Sequence, residues 1–120
     1  MTYKEVSNMI SSIGLPYAYY QFPDGTDTAP PFICFLYDGS HDLAADDTNY
    51  QRIRPLVIEL YTDSKDFALE NSVETVLNQY GFAYSREETY LDSEKMHMVS
   101  FTTEVVITDE PIINTEITEE

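Results

Sequence analysis

The sequence of 120 residues is poor in several things that functional sites are built from. It has one cysteine, Cys34, two histidines, four glycines, no tryptophan, and only 6 Lys and Arg against 22 Asp and Glu. One cysteine excludes an internal disulfide and any cysteine-rich zinc site. Its setting, "PFICFLY", predicts a buried, inert thiol, since a reactive one needs a basic neighbourhood. Four scattered glycines cannot form a phosphate-cradling loop, and the serines lack the glycine pattern of a nucleophile elbow. A formal charge of −16 opposes binding to duplex DNA, which needs clustered Lys and Arg. No apolar run nears the roughly 18 residues that span a bilayer. The start, "MTYKEVSNMISS", lacks the basic and apolar regions of a signal peptide, so a cytoplasmic protein is expected.

What is present suits one folded domain. Hydrophobic residues make up 42% and aromatic residues 13%, with ten tyrosines suited to strands and half-wet surfaces. In "TYKEVSNMISSIGLP", Thr2 and Glu5 have capping-box spacing, and Tyr3, Val6, Ile10 and Ile13 form one apolar stripe. Gly14 and Pro16 mark the end of that helix. Strands are expected over 17–22 and 30–38, divided by "PDGTD". A long strand over 49–62 carries Leu56, Ile58 and Leu60 on one face. Its Pro55 lacks a ladder donor, which implies a bulge there or an edge position.

A second helix follows in "DSKDFALENSVETVLNQYGF", capped by Asp63 or Ser64 and ended by Gly81, with a stripe of Leu69, Val73, Val76, Leu77 and Tyr80. "FAYSREETYL" and "KMHMVSFTTEVVIT" read as a hairpin across "DSE". The order is helix, three strands, helix, two strands. That predicts an α+β domain over 1–108, with two helices in a single layer on a mostly antiparallel sheet of about five strands. Residues 109–120 are expected to form a mobile acidic tail, although "IINTEI" is able to add a strand to a neighbour.

The richest cluster of polar donors is "DGSHDLAADDTNY", with Asp38, His41, Asp42, Asp46 and Asp47. It lacks the alternating donors and glutamate of a calcium loop, and zinc wants more histidine or cysteine. Its place between two strands favours a solvated connecting loop over a weak divalent-ion site at 38–47 or catalysis. His97, between Met96 and Met98, has no acid at a defined spacing. Glu70, Glu74, Glu87 and Glu88 read as solvating the second helix and the hairpin. The sequence therefore offers no catalytic, cofactor-binding or metal-ligating set, and no enzyme is expected.

The segments "PPFICFLYDGS", "AADDTNYQ", "LVIELYTDSKDFALENSVETVL" and "YLDSEKMHMVSFT" follow one another over roughly Leu15 to Thr108. In that order they resemble the tail-terminator, or tail-completion, proteins of long-tailed phages, in the form found in prophages of Gram-positive bacteria as minor capsid or tail components. The resemblance implies an α+β fold that assembles as a ring, typically a hexamer, on the last ring of tail-tube protein. There it stops tube growth and forms the surface joining the tail to a head-completion or neck protein. It implies a virion component assembled in the host cytoplasm, with no catalytic residues, no cofactor, no specific nucleic-acid binding and no membrane. Acidic ring walls repel DNA phosphates. The loop at 39–49 and the turn at 92–94 are candidates for the lumen or a neighbouring ring. Met96 and Met98, as apolar residues on an edge strand or packed under a helix, are candidates for subunit contacts. Three other readings fit the same sequence: a DNA-mimicking inhibitor using 38–47 and the acidic second helix, a head-closure protein, and a metal enzyme built on the aspartates.

Overall fold

The computed structural model describes residues 1–23, 25, 28–45 and 49–109, so the predicted tail lies outside the described residues beyond Asp109. Helix α1 spans Tyr3–Ser11. Thr2 Oγ1 accepts from Glu5 N–H at 3.0 Å, and Glu5 Oε1 accepts from Thr2 N–H at 2.8 Å. Two of the helix's orphan donors are thereby satisfied, as the capping-box spacing predicts. Gly14 ends the segment in the left-handed region, at φ +91°.

Six strands follow in chain order, β1 Tyr17–Tyr19, β2 Phe32–Tyr37, β3 Leu43–Ala45, β4 Asn49–Thr62, β5 Ser85–Leu91 and β6 Met96–Ile107. Helix α2, Phe67–Gln79, connects β4 to β5. The sheet runs β1-β2-β4-β6-β5, with β3 paired to β4 off that path. The architecture is α+β, two helices on a sheet, as expected, but two strand details differ. The first strand stops after three residues because Tyr20 turns to φ +68°, and it pairs parallel to β2, Tyr17 opposite Ile33. The connecting loop expected around 38–47 is in part β3, antiparallel to β4 with Leu43 opposite Gln51.

Pro55 lies neither at an edge nor in a bulge of its own strand. β4 is central, paired to β6 without interruption from Arg52 opposite Ile107 to Thr62 opposite His97. Its other edge carries β2 and β3 laid end to end. Asp38 N–H donates to Pro55 O at 2.9 Å, and three residues on His41 N–H donates to Ile53 O at 2.8 Å. Three residues thus face two, which places the bulge in the adjacent β2–β3 segment at Gly39, φ +78°. Backbone groups of one strand residue share an edge, so the N–H that Pro55 lacks would point to where β2 gives way to this bulge.

Helix α2 is capped by Asp66, whose Oδ1 accepts from Leu69 N–H at 3.0 Å, rather than by Asp63 or Ser64. At its other end Gly81 N–H reaches Asn78 O and Phe82 N–H reaches Leu77 O, both at 3.0 Å, with Gly81 at φ +81°. This is a Schellman closure, and Phe82 folds back on the core. One core joins Val6, Met9 and Ile10 of α1 and Val73 and Leu77 of α2 to the inner sheet face, where Leu56, Ile58, Leu60 and Phe101 are buried. Among the described residues no helix is long and apolar enough to cross a membrane.

Phe101 is wholly buried beneath both strand neighbours and Tyr84. Phe101→Ala is expected to cost about 3–5 kcal/mol through lost transfer energy and a residual cavity. A fall in the urea midpoint, with the slope retained, measures it.

Candidate functional site

The aspartate segment is held as a bulged corner. His41 Nδ1 meets Glu104 Oε2 at 2.5 Å across β4, with both side chains largely exposed. Asp42 is ion-paired to Arg52, and its other oxygen accepts from Ile53 N–H at 3.2 Å. The Arg52 hydrogen bond, more than any other influence, lowers the Asp42 pKa below its ordinary value. Arg54 Nη1 donates to Gly39 O at 3.3 Å. The donors that suggested chemistry are therefore used to tie the β2–β3 corner to β4 and β6. Asp46 and Asp47 lie outside the described residues. Among the described residues no three His, Cys, Asp or Glu side chains gather as metal ligands.

Cys34 is buried, and burial, followed by the charge of Glu59, pushes its thiol up to about 11. It is held as a thiol at neutral pH, a poor nucleophile. His97 packs against Tyr90, ring centroids 4.9 Å apart, at the far end of the sheet from His41. The two histidines cannot share a ligand.

The carboxylates of α2 behave unlike a solvated face. Glu70 is 2% exposed and lies beneath the helix. Lys65 Nζ meets its Oε2 at 2.7 Å, and Arg86 Nη2 meets its Oε1 at 2.6 Å. Arg86 also binds Glu74 at 2.6 Å and Glu88 at 2.9 Å, while Lys65 binds Glu88 at 2.7 Å. Tyr84 donates its hydroxyl to Glu74 at 2.8 Å. Two cations and three carboxylates therefore lace α2 to β5. Hydrogen bonds from Lys65 and then Arg86 lower the Glu88 pKa, and the same pairing raises that of Arg86. Periodicity could not reveal this, because the cations that draw Glu70 inward come from other parts of the chain. Only the pair Arg86 and Glu88, two apart on one strand face, hinted at it.

The outer sheet face, opposite the helices, is a different surface. Met96 and Met98 point into it, half-buried, so they neither pack under a helix nor sit on an edge; β6 lies between β4 and β5. Leu36, Val57, Tyr61, Ser100 and Thr102 share this face by strand alternation. Its acids are few: Glu59 accepts from Tyr61 at 2.8 Å, Glu104 holds His41, and Glu87 is exposed on the edge strand. A hollow of about 440 Å³ beside β2 is lined by Phe22, Phe32, Cys34 and Tyr61 among others. Phe32 stacks on Tyr61 at 4.9 Å and Phe22 meets it edge-on at 5.3 Å. The two edges of the sheet are guarded differently. Three-residue β1 is too short to template a partner, and β5 carries Arg86, Glu87 and Glu88.

No family model matches this chain, and no curated protein matches it in sequence. Among solved structures the fold is similar to a chain of the "Virion of native gene transfer agent (GTA) particle", with TM-score 0.51 and 15% identity over 82% of this chain and 84% of that one. The likeness is one of fold.

Two outcomes are expected from the ionic ties. Arg86→Ala leaves buried Glu70 to Lys65 alone and should cost on the order of 2 kcal/mol, below the 3–5 of a fully orphaned buried charge. Chemical denaturation checks it. The folded-state pKa values of Asp42 and Glu88 are lowered, so their stabilisation is present above the ordinary carboxylate range and is lost as pH falls through the lowered values. Asp42→Asn should flatten the acid limb of a Tm-against-pH curve below about pH 4.

Proposed function

We propose that the protein is a structural component of a phage or phage-like virion, which caps the tail tube as a closed ring and presents the surface that meets the head. The carrying observation is the fold shared with a chain of a gene transfer agent virion, over more than four-fifths of both chains. The order of segments that resembles tail terminators supports the finer role.

The surface chemistry supports assembly over catalysis. Copies of a chain carrying −16 repel one another except where charge is sparse or balanced. The outer sheet face, with its half-buried Met98, Val57 and Thr102, is such a place. The remaining acidic surface suits a channel wall past which DNA slides. In this reading the protein turns over no substrate, and the ring is assembled in the host cytoplasm and retained in the virion. A DNA mimic needs a free row of carboxylates, whereas Glu70 and Glu74 are tied beneath and beside α2.

Deleting the gene should yield headless tails of irregular, excessive length in electron micrographs. Tails of normal uniform length joined to heads would sink the proposal. A head-closure protein would instead leave uniform tails and leaking heads. In purified protein, Met98→Glu should abolish rings in negative stain while circular dichroism stays native.

A further inference from the structure

The left-handed turn at Tyr20, φ +68°, is uncommon for a residue that carries a side chain. Tyr20 N–H holds it by donating to Phe35 O at 2.7 Å, and Gln21 N–H by donating to Tyr19 O at 2.8 Å. The turn brings the chain from the margin of the sheet back onto the outer face. There Phe22 meets Phe32 edge-on at 5.3 Å and 85°, while Phe32 stacks on Tyr61 at 4.9 Å and 21°. Ring planes at right angles thus form a corner in the hollow of about 440 Å³, a size usual for ligand pockets. Tyr20, 66% exposed, adds a fourth ring to the lining. Among the described lining residues the one charged side chain is Glu59. Its Oε1 accepts from the Tyr61 hydroxyl, while its Oε2 has no partner among the described residues. The neighbours register this anion. Burial first, then the Glu59 charge, pushes the Cys34 thiol up to about 11, and burial followed by its bond to Glu59 raises Tyr61.

An aromatic corner around an uncompensated carboxylate has the chemistry of a cation site. Ring faces carry the negative end of a quadrupole, and a carboxylate oxygen accepts charge-assisted hydrogen bonds. We propose that this hollow binds the guanidinium of an arginine presented by another protein, stacked on the rings and donating to Glu59 Oε2. Guanidinium suits the corner better than ammonium, because it is planar and more weakly hydrated, and so stacks and desolvates more readily. A second copy has no unengaged arginine to offer. The three in this chain are bound within the fold, Arg52 to Asp42, Arg54 to Gly39 O, and Arg86 to Glu70, Glu74 and Glu88. Copies carrying −16 also repel one another, whereas a basic partner is drawn in. The outer face thus meets a basic protein at this margin, whether or not copies also meet on it to form a ring.

The test titrates the purified full chain with acetyl-arginine-N-methylamide and follows backbone and ring resonances. Saturable shifts are expected at Phe22, Phe32, Glu59 and Tyr61, and none at Tyr90 on β5. The neutral isostere acetyl-citrulline-N-methylamide should bind about tenfold more weakly. The arginine probe should lose about the same factor on Glu59→Gln, which keeps the shape of the side chain without its charge. Phe22→Leu, which removes one ring from a half-buried position, should weaken binding about threefold. Should Glu59→Gln disturb the fold, Phe22→Leu gives an independent reading. Absence of saturable shifts, equal affinity for the citrulline probe, or an unaltered affinity in either folded variant overturns the proposal. Free L-arginine should bind no more tightly than the capped probe. Tighter binding of the free amino acid would make this a small-molecule site and overturn the assignment to a protein side chain.

Discussion

A strand of fourteen residues paired on both edges must satisfy two ladders at once, and β4 does so with a proline near its middle. The missing donor of Pro55 is harmless because the segment joining β2 to β3 bulges opposite it, at Gly39. That bulge has two effects. It splits one edge of β4 between β2 and β3, and it re-aims the chain so that His41 and Asp42 reach Glu104 and Arg52. The polar donors of this corner thus follow from a backbone constraint in the sheet, and their chemistry is absorbed by holding it.

Charge is distributed by the same logic. The chain carries 22 acids, yet its basic residues are concentrated where they matter. Arg52 and Arg54 brace the bulged corner, while Lys65 and Arg86 close around Glu70 between α2 and β5. Compensating charge is spent on the helix side and at the corner, which leaves the outer sheet face sparsely charged and half-apolar. A protein so arranged has one broad surface on which like charge opposes close approach least. The acidic remainder repels other copies of the chain.

Much of the fold was legible in the sequence, and the failures share a cause. Both helices, their terminating glycines and the β5–β6 hairpin rest on local signals: the Thr2–Glu5 box, the apolar stripes, and the short polar break at 92–94. What was missed depends on partners distant in sequence. Leu43–Ala45 is a strand because β4 offers it an edge, not because Leu-Ala-Ala has strong strand preference. The parallel pairing of β1 needs the excursion through 20–31 to return to its side. Pro55 is central because a distant bulge receives it. Asp66 displaces Asp63 and Ser64 as the cap because β4 runs on to Thr62 and the helix starts only at Phe67. Glu70 turns inward because Lys65 and Arg86 wait there, which no count of its neighbours could tell. Likewise, Met96 and Met98 were placed on a strand correctly, but the order of strands decided that this strand is interior. As for a site, the sequence gathered the polar residues of the corner without the means to say that they bind one another.

The two lateral margins of the sheet have a common effect. One ends after Tyr19 in a left-handed turn at Tyr20, and the other carries the charged run Arg86, Glu87 and Glu88. Neither offers the long, flat, uncharged run of backbone on which an extra chain is readily templated, so edge-to-edge growth is discouraged at both. A crowded solution can therefore hold such a protein at high concentration with little tendency to pair along these two margins.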